Sequence, residues 1–152
     1  MLRLSKKADY ALMAMKHLAL RGDRGSSSAR EIAGLYDIPI ELMAKVLQRL
    51  VRRGLLASYQ GTRGGYQLAR LPTQISVADV IQAIEGPVTV TACSTEEGQC
   101  EQFAKCNVRD PLWRVRERIL TALGECTIAE LALEPPTAAP APTRAAVLHT
   151  HL

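Results

Sequence analysis

Apolar positions recur at helical spacing through most of this chain and switch to a shorter period only once. From residue 5 to 20, Ala8, Ala11, Leu12, Met15 and Ala19 predict a helix, and Gly22 offers its stop. A polar turn follows at 23–28. Ser28-Ala-Arg-Glu31 has the capping-box form, with serine at the cap and glutamate three residues on. It opens a short helix whose apolar contacts are expected to be Ile32, Ala33 and Leu35, broken by Asp37-Ile38-Pro39. The next helix is expected from Ile40 to Arg53, ending at Gly54, with Met43, Val46, Leu47 and Leu50 as one stripe. Leu55–Gln60 and Tyr66–Leu71 read as strands around the glycine-rich turn Gly61-Thr-Arg-Gly-Gly65, a β-hairpin.

Beyond the hairpin, Ser76-Val-Ala-Asp79 is a second capping box. Val77, Val80, Ile81 and Ile84 give an amphipathic helix closed by Gly86-Pro87. Residues 88–109 lose periodicity. Asp110-Pro111 reads as an N-cap and first-position pair for a helix with Leu112, Val115, Ile119, Ala122 and Leu123 on one face. Thr127-Ile-Ala-Glu130 starts a last short helix. From Glu134 the chain is rich in Pro, Ala and Thr and reads as a disordered tail. The expected fold is mainly α with a small β-hairpin: residues 1–75 as a winged helix-turn-helix, 76–133 as a loop and long helix, and 134–152 as tail.

Charge sharpens the picture. Residues 1–92 hold 13 Lys/Arg against 7 Asp/Glu, and residues 93–152 hold 6 against 8, so the positive charge sits in the first part. That asymmetry suggests a polyanion partner, although a solvated basic surface is the plainer reading. Aromatic residues are only 4% of the chain, which argues against a stacking platform for single strands. Helix, short helix, tight turn, helix and hairpin is the order of a winged helix-turn-helix, whose second helix enters the major groove of double-stranded DNA. A helix about 10–12 Å across fits that groove. Ile40, Glu41 and Ala44 are expected nearest the bases. Lys45, Gln48, Arg49 and Arg52 are expected to meet phosphates or base edges. Thr62 and Arg63 stand at the hairpin tip, where an arginine is placed to enter a minor groove.

Cys93, Cys100 and Cys106 fall in the aperiodic stretch with polar and acidic neighbours. Three thiolates in an irregular loop can converge on a soft metal. An iron–sulfur cluster and zinc both satisfy that pattern, and chance surface cysteines compete with both. Cys126 lies outside the loop and is expected to be a small buried apolar residue. No hydrophobic run approaches membrane-spanning length and no secretory leader is visible, so a cytoplasmic protein is expected. Cytosolic thiols stay reduced, which favours a metal or redox site over a disulfide. An enzyme or cluster carrier finds little support. There is no nucleophile–base pair, no phosphate-cradling loop and no paired catalytic carboxylate.

The stretch from Leu47 to Leu56, the wing Gly61-Thr-Arg63-Gly64-Gly65-Tyr66-Gln-Leu68-Ala69-Arg70, and the opening Leu2-Arg-Leu-Ser-Lys with Asp9-Tyr10-Ala11-Leu12 resemble the Rrf2 family of winged-helix regulators, the group of IscR and NsrR. The likeness spans roughly residues 1–130. It implies a homodimer on a two-fold operator, with the helix near 111–124 as the dimer contact. It also implies a [2Fe-2S] or [4Fe-4S] cluster on Cys93, Cys100 and Cys106. An IscR-type fourth ligand would be a histidine three residues past the last cysteine, where this chain has Arg109, which stays protonated and cannot ligate. NsrR-type members match instead at Asp9, nominated here as the fourth ligand. His17, two turns along, is a further candidate, with a structural role as the alternative. The opening segment also resembles the regulators of SUF-type iron–sulfur assembly genes, implying a cluster-sensing repressor. A nitric-oxide or redox sensor on the same scaffold, or a cluster-free or zinc-binding regulator, remain as rivals.

Overall fold

The computed structural model describes residues 3–91 and 100–133. Among the described residues the order, apart from two short 3-10 turns, is six α-helices and one hairpin: α1 (Lys6–Arg21), α2 (Ala29–Leu35), α3 (Ile40–Arg52), β1 (Leu56–Tyr59), β2 (Gly65–Leu68), α4 (Val77–Glu85), α5 (Arg109–Glu125) and α6 (Ile128–Leu133). This is the winged helix that the pattern predicts.

Helix α1 is the central element. Ser5 caps it, its hydroxyl accepting from the Ala8 N–H at 3.2 Å. It buries Ala8, Ala11, Ala14, Met15 and Leu18, a wider face than one stripe, because α3, α4 and α6 all pack on it. Alanine at three of those positions lets the neighbouring helices come close. The reciprocal cap of α2 forms as expected: the Glu31 N–H donates to Ser28 Oγ at 3.1 Å and the Ser28 N–H to Glu31 Oε2 at 3.2 Å. Ile32 and Ala33 are buried, but Leu35, expected in the core, is 62% exposed. The chain turns away after α2 through Asp37 at φ +53°, and Ile38 takes the core position instead, its N–H donating to the Ala33 carbonyl at 2.9 Å.

Met43, Val46, Leu47 and Leu50 of α3 are all buried, as the stripe predicts. Each such side chain contributes about 1.5–3 kcal/mol by leaving water. The hairpin pairs antiparallel from Leu56↔Leu68 to Tyr59↔Gly65. A third short rung joins it to the body, since the Ser27 N–H donates to the Tyr66 carbonyl at 3.1 Å and the Tyr66 N–H to the Ser27 carbonyl at 2.8 Å.

The Ser76–Asp79 box opens α4, and Thr127 with Glu130 opens α6 in the same reciprocal way. The α6 segment returns to the first half of the chain. The Ile128 N–H donates to the Ile75 carbonyl at 2.9 Å, and Ile128, Val80 and Ala83 share one core with α1 and α3. Helix α5 departs from expectation at its start. It begins at Arg109 behind Val108, not at an Asp110 cap. The Asp110 carboxylate is instead paired with Arg109 Nε at 3.0 Å, and Pro111 is tolerated because first-turn N–H groups have no partner within the helix. No residue of α5 is fully buried. Leu112, Ile119 and Leu123 are half-buried and Val115 is 44% exposed, so the expected apolar face is only partly covered. No described helix is long and apolar enough to cross a membrane.

Candidate nucleic-acid interface and cysteine segment

The buried stripe of α3 sets what its other side presents. Glu41, Lys45, Gln48, Arg49 and Arg52 are exposed, Ala44 is half-buried, and Ile40 is 44% exposed at the first turn. An apolar residue and a carboxylate at that end suit a thymine methyl and a cytosine amino group, while the cations further along suit phosphates. A groove beside α3 is lined by Lys45, Gln48, Arg49 and Arg52 together with Lys7 from the first turn of α1. Sequence reasoning missed Lys7. No periodicity or motif marks it, and its nearness to α3 is a product of packing. Arg49 differs from its neighbours. Its Nε–H donates to the Ala83 carbonyl of α4 at 2.8 Å.

The wing is seated by its glycines. A Cβ at Gly64 would lie 2.5 Å from the Tyr59 carbonyl oxygen, and one at Gly65 would lie 2.6 Å from Ser27 backbone atoms. Side chains at either position would prevent the tight tip or its docking on Ser27. Thr62 and Arg63 are exposed at the tip, and Ser26 Oγ donates to the Arg63 carbonyl at 2.7 Å. Ser26 is a second residue sequence reasoning missed, since its acceptor is backbone.

His17 lies beneath this region. Its Nδ1 is 3.1 Å from the Tyr36 hydroxyl and its Nε2 is 3.2 Å from Ser27 Oγ, with the Tyr36 ring edge-on. Burial, reinforced by the Arg21 charge and opposed by Glu31, holds its pKa below the usual histidine value. Both ring nitrogens are engaged, which makes His17 a brace between α1, the helix-turn-helix and the wing seat.

Cys93 lies outside the described residues. Cys100 and Cys106 are half-buried thiols, not in a disulfide, on either side of a tight turn in which the Phe103 N–H donates to the Cys100 carbonyl at 3.0 Å. Arg109 clamps that turn, its NH1 donating to the Phe103 carbonyl at 3.2 Å and its guanidinium lying 4.4 Å from the Phe103 ring centroid. The position where a ligating histidine was sought is thus a structural arginine. Asp9 is half-buried in the first turn of α1. The described residues bring no three His, Cys, Asp or Glu side chains together as a metal site, so Asp9 does not join Cys100 and Cys106 within them. Two thiols held outside a disulfide beside a clamped turn nonetheless suit a thiolate-bound cluster in donor type. Cys126, expected buried, is half-buried at the α5–α6 junction, where its carbonyl accepts from the Val77 N–H at 2.8 Å.

A family model described as "Rrf2: Iron-dependent Transcriptional regulator" matches residues 4–134. The HTH-type transcriptional regulator IscR of Xenorhabdus nematophila is 35% identical over 131 residues, covering 86% of this chain and 79% of that protein. Among solved structures, CymR, the global cysteine regulator of B. subtilis, superposes with a TM-score of 0.72 at 30% identity, covering 87% of this chain and 97% of its own. T. potens IscR superposes with a TM-score of 0.67 at 28% identity, covering 86% and 85%.

Proposed function

The chain belongs to the Rrf2 family of iron-dependent transcriptional regulators and is a DNA-binding transcriptional regulator, not an enzyme; from that premise we propose that it is a homodimeric iron–sulfur sensor repressing SUF-type cluster-assembly genes. The observation that carries the reading is the clamped turn between Cys100 and Cys106, two thiols kept out of any disulfide. Cys93, Cys100 and Cys106, with Asp9 as the fourth ligand, hold a [2Fe-2S] or [4Fe-4S] cluster. Asp9 would come from the partner subunit, since among the described residues of one chain it does not join Cys100 and Cys106. A bound cluster supplies a group that oxidants and iron shortage remove.

The chain's own residues do the rest. Ile40, Glu41 and Ala44 face base edges of a two-fold operator. Lys45, Gln48 and Arg52, joined by Lys7, follow the phosphates, and Thr62 and Arg63 reach a minor groove. The half-covered face of α5 supports its use as the dimer contact, because the 44% exposed Val115 on that face is apolar surface that a second copy would cover.

The test is anaerobic purification with iron and sulfide analysis and a visible spectrum. Colour that is lost in Cys93→Ala, Cys100→Ala or Cys106→Ala, and altered in Asp9→Ala, is the expected result. A protein with no iron or sulfide after reconstitution removes the cluster and leaves a winged-helix regulator. Asp9 as the acidic fourth ligand favours one variant reading, a nitric-oxide sensor on the same ligands. Bleaching of the holo protein by nitric oxide, with release from DNA, would select it.

A further inference from the structure

The last turn of α4 is a junction. A helix leaves its final carbonyls without partners of its own. In α4 the Gln82 carbonyl takes the Gly86 N–H at 2.9 Å, and the Ala83 carbonyl takes the Nε–H of Arg49 from α3 at 2.8 Å. A guanidinium there also opposes the negative end of the helix dipole. Two residues on, Glu85 Oε1 accepts from the Ser5 N–H at 2.7 Å, at the cap of α1. The chain then leaves through Gly86, at φ +83°, towards the cysteine segment. One turn of helix therefore ties together the DNA-facing helix, the start of the helix that carries Asp9, and the root of the cysteine segment.

We infer that Arg49 is a positioning residue: it caps α4 from α3 and sets the recognition helix against the root of the cysteine segment, and it is not one of the groups that neutralise DNA phosphate. This revises its expected place among the phosphate contacts and rests on the reading of the chain as a DNA-binding sensor. Arg49 and Arg52, one turn apart on α3, both line the groove with Lys7 and Lys45, and what separates them is that the Arg49 Nε–H is committed to the Ala83 carbonyl of α4.

Salt dependence separates the two roles, because each phosphate contact adds about 0.9 to the slope of log affinity against log salt. The probe is a duplex selected from a random-sequence library by the wild-type protein, titrated with full-length apo protein over a range of KCl. Arg49→Gln is expected to weaken binding roughly tenfold or more at every salt, the scale of a lost charge-assisted hydrogen bond, with the slope unchanged. Arg52→Gln is expected to lower the slope by about 0.9. Arg49→Lys keeps the charge but lacks the Nε–H at that point of the side chain, so it should behave like Arg49→Gln. Thermal unfolding confirms that both Arg49 variants fold. A lower slope in Arg49→Gln, or wild-type binding by Arg49→Lys, overturns the inference. In anaerobically reconstituted protein, the ratio of affinities with and without the cluster should fall towards one in Arg49→Gln, from a wild-type ratio of about 5–150 for a typical coupling. A wild-type ratio retained by Arg49→Gln overturns the relay. A wild-type ratio of one defeats the sensor reading instead, and the slopes still decide what Arg49 does.

Discussion

Replacing Gly65 by alanine tests how the wing is held. The new Cβ would stand 2.6 Å from the Ser27 carbonyl carbon and oxygen, and the backbone there has φ +150°. Neither obstacle is a side chain that can swing aside. Two relaxations are open. The chain keeps its path and accepts overpacking, at about 1–3 kcal/mol. Alternatively the wing lifts off Ser27 and gives up the two backbone hydrogen bonds between Ser27 and Tyr66, at about 0.5–1.5 kcal/mol each. The cheaper route sets the cost, so the loss is about 1–3 kcal/mol in either case. Gly34 is the control. It is exposed near the end of α2 with nothing within 4 Å of a new Cβ, and alanine there should stabilise by about 0.5–1 kcal/mol through helix propensity. Urea unfolding at one fixed protein concentration measures both, and amide exchange at Ser27 and Tyr66 reports the seat directly. Because the wing carries Thr62 and Arg63, Gly65→Ala should also weaken DNA binding while Gly34→Ala leaves it intact. A Gly65→Ala protein within about 0.5 kcal/mol of wild type, with both amides still protected, would refute the account of the seat.

The lowered pKa of His17 gives a signed prediction. As pH falls below about 6.5 the unfolded chain binds a proton that the folded one resists, so stability is lost from there down to the lower folded value and is fully present above it. His17→Gln should remove that slope, and parallel pH profiles for the two proteins would exclude the brace as its source. Leu47→Ala, at a fully buried site, should cost about 2–5 kcal/mol in urea unfolding, and a cost below that range would mean the core refills the cavity. On the proposed dimer, Val115→Glu should sediment as a folded monomer where the wild type sediments as a dimer, and a wild-type monomer would refute the dimer itself. A persisting dimer would place the contact away from α5.

What could be read ahead of the structure divides by range along the chain. The boxes Ser28–Glu31 and Ser76–Asp79 were legible because both partners lie within four residues, and both form; Thr127–Glu130, read only as a helix start, closes in the same way. The α3 stripe was legible because one side of that helix is covered and the other is open. Periodicity misplaced Leu35, since Asp37 at φ +53° redirects the chain and gives the core to Ile38. It misplaced the start of α5 because Asp110 had a nearer cation in Arg109 than an open N–H to cap. The half-exposed α5 face carries the same alternation as a core helix, and only a fold shows which apolar faces remain uncovered.

The site was legible by side-chain type and illegible in how it is held. Lysine, arginine and glutamate on the outer side of α3, and Arg63 at a glycine tip, announce themselves as groups that meet DNA. The bonds that aim them end on main-chain carbonyls: Ser26 on Arg63, Arg49 on Ala83. Every residue carries a carbonyl, so no composition or spacing marks the one that will be used. The same holds for Gly65, whose need for a bare backbone comes from Ser27, far away in the chain. A regulator built this way separates two kinds of change. On the proposed reading, substitutions on the outer face of α3 should alter which DNA is bound and how strongly salt opposes it. Substitutions at Ser26, Arg49 and Gly65 alter how α3 and the wing are set relative to one another, and through α4 how that setting answers to the cysteine segment. The salt slope is the measurement that tells the two kinds apart, because charge lost at a phosphate changes the number of ions released and a misplaced helix does not.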